Sequence, residues 1–158
     1  METSKNGSKT PSNNVKNVKN IGRTNKRKGS NAEREYAQKF RELGFSFCKT
    51  SRQASRLYDD SKIDLMFIPF NVQVKAGKQR GINYSKVLEE LSEAIKVNFP
   101  PTHEVHGLPK VCIHRKDGTP GKASNEFSEL VVLTFEDFKN ILKTNFDEIV
   151  KIKKHDNL

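Results

Sequence analysis

One stretch constrains this chain more than any other. Ile63, Leu65, Met66, Phe67 and Ile68 form a compact apolar run interrupted by a single carboxylate, Asp64, and followed by Pro69-Phe70 and then Val72-Gln73-Val74-Lys75. A run apolar on both faces belongs to a buried strand, and an acid inside it costs several kcal/mol unless it is paired or bound to a cation. The proline predicts a turn, so the whole reads as strand, turn and return strand. If Ile68-Pro69-Phe70-Asn71 is a four-residue β-turn, Ile68 pairs with Asn71, Met66 with Gln73 and Asp64 with Lys75. That register sets Asp64, Gln73 and Lys75 on one face of a sheet, and a slip of one residue would reverse the face.

Around this hairpin the pattern alternates between the two periods. Ser30-Asn31-Ala32-Glu33 has the form of a capping box and opens a helix that ends near Gly44, with Tyr36, Ala37, Phe40 and Leu43 inward. Phe45 and Phe47 alternate as in a half-covered strand, and 50–61 is polar and reads as a loop. Val87, Leu88, Leu91, Ala94 and Ile95 make a helical stripe stopped by Pro100-Pro101. Val111–Ile113 and Leu130–Leu133 are strands, and Thr134 is the N-cap of a last helix with Phe135, Phe138, Ile141 and Leu142 inward. The order αβββαββα is not a regular βαβ alternation, so the expected class is α/β, a mixed central sheet flanked by helices.

Charge divides the chain of 158 residues. Residues 1–28 hold eight basic side chains and one acidic one, hence +7 of the total of +10; the other 21 basic and 18 acidic residues leave +3 for 29–158. With only Val15, Val18 and Ile21 as sizeable apolar groups, 1–28 is expected to be a disordered basic tail, 29–146 the folded domain, and 147–158 a polar tail. A basic arm on a mildly basic globule is a nucleic-acid signature; the bland reading is a solubilising leader. Every apolar run falls well short of the roughly 18 residues of a membrane span, and the N-terminus has no apolar signal segment. Cys48 and Cys112 are too few for a disulfide framework. The expected setting is a reducing cytoplasm, with nucleic acid as partner and no membrane.

Glu33 lies four residues before Ala37 and seven before Phe40, at the inward edge of its helix, from which it can approach the hairpin. An acid, an amide oxygen and an ammonium gathered there suit metal-assisted phosphodiester hydrolysis: Asp64, Gln73 and Glu33 as oxygen ligands of Mg2+, with Mn2+ as the alternative, and Lys75 on the attacking water and the phosphate. Each residue also has a plain structural reading, Glu33 closing its capping box and Asp64–Lys75 forming a cross-strand ion pair. Lys49, Arg52 and Arg56 before the hairpin and Lys78 and Arg80 after it are phosphate-tracking candidates or ordinary solvated cations. His103 and His106 read as loop residues without a third ligand.

These residues carry a resemblance. Asp64 followed by Gln73-Val74-Lys75 on a hairpin resembles the core of the PD-(D/E)xK nuclease superfamily. Lys28-Gly29-Ser30-Asn31-Ala32-Glu33-Arg34-Glu35 resembles, more narrowly, the opening of archaeal-type Holliday junction resolvases. The likeness runs from about Arg27 to Leu142. It implies a restriction-endonuclease-like fold, Glu33, Asp64 and Lys75 in the active site, and Gln73 in the place of the second acid; Lys28, the last cation of the basic tail, is expected to contact DNA with it. The likeness also implies a loop serine, matched by Ser55 or Ser51. Two departures stand out: Ile63 replaces the usual proline before the aspartate, and Gln73 removes one negative charge from the metal site. The implied activity is resolution of four-way junctions by a homodimer with two symmetric sites. The alternatives are a nuclease of the same superfamily acting on other DNA, and a non-catalytic DNA-binding accessory protein.

Overall fold

A computed structural model describes residues 13–77, 81–116 and 128–144, with backbone alone over 13–25. The elements are α1 (Asn13–Glu42), β1 (Lys49–Thr50), α2 (Ser51–Ala54), α3 (Arg56–Asp60), β2 (Leu65–Met66), β3 (Asn71–Gly77), α4 (Tyr84–Asn98), a 3-10 turn (Glu104–Gly107), β4 (Lys110–Lys116), β5 (Glu129–Leu133) and α5 (residues 135–144). The five strands form one open sheet in the order β1-β2-β3-β4-β5, antiparallel except for the parallel pair β3–β4. This is the expected mixed α/β sheet, with α2 and α3 added inside the segment read as a loop.

Two cores sandwich the sheet. On one face Ala32, Tyr36 and Ala37 of α1 pack on Leu65, Val72, Val74, Val111 and Ile113. On the other, Leu91 and Ile95 of α4 pack with Ile63, Phe99 and Val105, and Tyr58 lies against them. β3 is buried along most of its length, as a parallel central strand must be. The period of two sends Val72 and Val74 to the first core and Asn71, Gln73 and Lys75 to the second side, beside Cys112 and His114 of β4.

The helical frame differs from expectation at its start. α1 runs unbroken from Asn13, so Ser30 and Glu33 lie within it, and there is no capping box at that point. The basic stretch from residue 13 on, expected to be disordered, is helical backbone; residues 1–12 and 145–158 lie outside the described residues. Gly29 is tolerated inside the helix at a cost of about 1 kcal/mol, and lysine, arginine and asparagine impose no barrier of the kind proline does. Leu43 is exposed, because the helix ends at Glu42 and the chain turns through Gly44 at φ 103°. Phe45 packs edge-on against Phe40, and the expected strand shrinks to Lys49–Thr50. Thr134 does cap α5, accepting from the Asp137 amide at 3.0 Å, but Phe135, Phe138 and Leu142 face solvent instead of the core.

The hairpin register is Leu65 opposite Val72, two residues from the one expected. Its loop is Phe67–Phe70, with Phe67 in the left-handed region at φ 63°. Asn71 explains the shift. Its side-chain amide donates to the carbonyls of Val105 (2.7 Å) and Leu108 (3.1 Å), and its backbone N–H donates to Pro109 O. That anchors Asn71 as the first residue of the parallel ladder to β4 and withdraws it from the turn. A slip of two keeps the face, so Asp64 remains on the side of Gln73 and Lys75. Asn71→Ala should therefore cost about 1–3 kcal/mol, since it leaves the buried Val105 carbonyl and the part-buried Leu108 carbonyl without their donor; urea unfolding of variant and wild type measures the difference.

Candidate active site

Asp64 stands just before β2, between two backbones. Its N–H donates to Val72 O (2.7 Å), its C=O accepts from Ser51 N (3.0 Å), and its Oδ2 accepts from Val74 N (2.7 Å). The carboxylate is thus laid along β3 at Val74, between Gln73 and Lys75. Lys62 at φ 61° turns the chain out of α3 into this position, and Ile63 fills the second core beneath it.

Glu33 arrives from α1 for a simple reason. The buried stripe of that helix pairs Ala32 with Tyr36 and Glu33 with Ala37, each four apart, so Glu33 occupies a core-facing position and is only 4% exposed. Its carboxylate meets the Arg52 guanidinium of α2 at 3.0 Å, and Arg52 also lies 3.6 Å from Asp59. Burial raises the proton affinity of Glu33 above that of an ordinary carboxylate, Arg52 opposes the shift and Asp59 adds to it.

The electrostatics of Asp64 tie these groups together. Burial is the largest influence and pushes its pKa from 3.8 up to about 7; the Val74 N–H opposes this, the Glu33 charge adds to it, and Lys75 and Arg52 oppose it. Glu33 and Asp64 are thus neighbouring carboxyls of raised proton affinity, and Lys75 and Arg52 act on Asp64 against that shift. Among the described residues three buried side-chain polar atoms have no hydrogen-bond partner, Gln73 Oε1, Ser51 Oγ and Tyr36 Oη; Ser51 bonds Asp64 O through its own N–H, and Gln73 precedes Val74, whose N–H bonds Asp64 Oδ2. Such orphans are rare, and an amide oxygen is a hard ligand by type. By donor type, Glu33, Asp64 and Gln73 offer oxygens of the kind that Mg2+ or Mn2+ takes. Among the described residues no group of three or more histidine, cysteine or acidic side chains gathers, so the set rests on two carboxylates and the amide.

Lys75 is partly exposed and makes no hydrogen bond or ion pair among the described residues, although its charge acts on Asp64 and on the Cys112 thiol. It pairs in the ladder with His114, which is fully buried. His114 Nε2 lies 3.1 Å from Gly77 O and Nδ1 lies 2.9 Å from Tyr84 Oη. A carbonyl only accepts, so Nε2 carries the proton and Nδ1 accepts from the tyrosine. The pair braces the backbone end that presents Lys75, a role no sequence pattern announced.

The other expected residues are more scattered. Ser51 is the loop serine that abuts Asp64, through its N–H, while Ser55 sits one turn further on between α2 and α3. Lys28, Lys49 and Arg56 are exposed on the surface; Arg52 is not a free surface cation but the partner of Glu33. Lys78 and Arg80 lie outside the described residues. His103 and His106 close the 3-10 turn, Nδ1 of the first accepting from Val105 N and Nε2 of the second meeting Phe99 O. Cys48 and Cys112 are buried as small apolar side chains. No helix among the described residues is long and apolar enough to cross a membrane. No protein-family model, curated protein or solved structure matches this chain.

Proposed function

We propose that this chain is a Mg2+-dependent endodeoxyribonuclease of the restriction-endonuclease-like PD-(D/E)xK kind, and that its substrate is the four-way DNA junction. The observation that supports the chemistry is the buried Asp64 carboxyl, on which the charges of buried Glu33 and of Lys75 act, on the strand face that Gln73 shares. A buried acid of raised proton affinity is costly to the fold and is retained where a cation or a reaction uses it. The junction is favoured by the likeness of Lys28–Glu35 to resolvase openings and by the two-fold symmetry of such a substrate, which a homodimer matches.

In this reading the roles follow from position. Val74 N–H fixes Asp64 Oδ2 and leaves Oδ1 for the cation. Glu33 and the Gln73 amide oxygen complete the oxygen set. A bound Mg2+ supplies a Lewis acid for the phosphate and lowers the pKa of a coordinated water. Lys75 orients the attacking water and neutralises the phosphate oxygens as negative charge develops. Arg52, once Glu33 is otherwise neutralised, is free to contact the DNA backbone.

The substrate is tested by adding Mg2+ to the protein with a four-way junction and, beside it, linear duplex of the same sequence. Paired symmetric nicks in the junction alone are the expected result. General cutting of both substrates would replace the junction with DNA at large, and binding without cutting would favour an accessory role.

Affinity should come largely from phosphates, and so from the basic arm. Removal of residues 1–28 takes away eight cations and one anion. Junction binding should weaken and the slope of log affinity against log salt should fall by several, since each phosphate contact contributes about 0.9. Titrations at a series of salt concentrations measure both; an unchanged slope would show that the arm does not touch DNA.

A further inference from the structure

The hairpin loop carries a side chain that folding alone does not account for. Phe67 is 58% exposed and holds a left-handed backbone, φ 63°, which costs a non-glycine residue about 1–2 kcal/mol. Burial recovers only part of this, and strain kept at an exposed aromatic residue is a pointer to a binding site. Phe47 reaches the same place from before β1 and is 75% exposed. Together with Gly44, Phe45, Ser46 and Lys49 they line a hollow of about 460 Å3, within the range of ligand pockets.

The place of this hollow is set by the sheet. Lys49 pairs with Met66 and Thr50 with Leu65, and Ser51 N–H then bonds Asp64 O. Phe67 is three residues on from Asp64, just past the end of β2, so the two backbones are at most about 10 Å apart. One DNA strand advances about 3.4 Å per nucleotide, so about three nucleotide steps span the gap. Lys49, exposed at the rim, offers a cation to the backbone between. Aromatic rings with a lysine at the lip match a nucleobase and its phosphate; an apolar protein helix would leave the lysine unanswered.

We propose that Phe47 and Phe67 form a stacking site for unpaired or splayed nucleobases, about three nucleotides from the phosphate at Asp64. The location relative to the cut rests on the nuclease reading; the stacking itself does not. The site takes bases through their faces and is therefore indifferent to sequence, while favouring branch points and single strands over continuous duplex.

The test is equilibrium binding by the full chain in EDTA, so that cutting plays no part. Three probes of one sequence are used: single strand, four-way junction and fully paired duplex. Phe47→Ala and Phe67→Ala should each weaken single-strand and junction binding roughly 5- to 100-fold, the effect of losing one stacked base. The duplex should change by less than about twofold, and the salt slope should stay put, because the lost contact is uncharged. Phe67→Tyr should bind like wild type, and Phe67→Leu should lose most of the affinity. Equal losses on all three probes, a changed salt slope, or wild-type binding by Phe67→Leu would overturn the proposal. A shift of either alanine variant to a smaller species in sedimentation would do so as well, by making the face a contact between copies of the chain. If the expected pattern appears but the wild type cuts no junction in Mg2+, the nuclease reading falls and the stacking site stands.

Discussion

Asp64→Asn is expected to abolish DNA cleavage while making the folded protein more stable above neutral pH. The loss of cleavage follows from removing the one acid that β3 holds in place, since an amide is a weak substitute for a carboxylate on a divalent cation. The gain in stability follows from linkage. Unfolded, the Asp64 carboxyl ionises near 3.8; folded, burial keeps its proton up to about 7. Below about pH 4 both states are protonated and the group is neutral in its effect. As pH rises from about 4 to about 7 only the unfolded state ionises, so the native state progressively loses stability, and the loss is complete above about 7. Roughly three pH units correspond to about 4 kcal/mol as an upper figure. The substituted amide has no proton to lose, so the stability of the variant should be flat across that window where wild type falls. Urea midpoints at about pH 5 and about pH 8 test this, and a parallel fall in both proteins would contradict it. Cleavage by wild type should rise over the same window, as Asp64 becomes anionic, and Lys75→Ala should stop cleavage while leaving junction binding mostly intact.

Gln73→Glu should cut DNA at a Mg2+ concentration lower by roughly 10- to 100-fold, and Gln73→Ala should require more, magnitudes typical of single changes around a metal. The reason is the orphaned oxygen. Gln73 Oε1 is buried without a partner, and on the proposed function the glutamate adds an anion to the oxygen set of Glu33 and Asp64. In the absence of metal that third acid adds like-charge repulsion, so Gln73→Glu should be the less stable protein in EDTA at about pH 8, with the deficit removed by Mg2+. Metal titrations of cleavage, together with melting in EDTA and in Mg2+, give both readouts. A wild type that is inert and a Gln73→Glu that cuts would identify a degenerate nuclease site.

How far the sequence reached is clearest at the hairpin. The acid in an apolar run, the proline and the alternating return strand put Asp64 beside Gln73 and Lys75, and the face survived because the register error was two residues and not one. The error itself came from Asn71, whose amide serves the loop before β4, 34 residues away at Val105; no local turn rule contains that contact. The inward position of Glu33 was legible in its spacing to Ala37, although the capping box that first drew attention to it does not exist inside a continuous α1. Ser51, Arg52 and the His114–Tyr84 brace act through tertiary contacts between segments distant in sequence. Only a polar serine beside Arg52 hinted at the first two. The outward face of α5 was misread because helical spacing shows that a face is apolar, not that anything covers it.

The central claim, that Glu33, Asp64 and Gln73 share one divalent cation beside Lys75, is tested most directly by the anomalous scattering of Mn2+ in crystals of the full chain. One peak is predicted, within about 2.3 Å of an Asp64 carboxylate oxygen and of Gln73 Oε1, with Glu33 direct or through a water. It should be missing from crystals of Asp64→Asn. No peak at Asp64, or a peak bound elsewhere with Arg52 still paired to Glu33, would contradict the account.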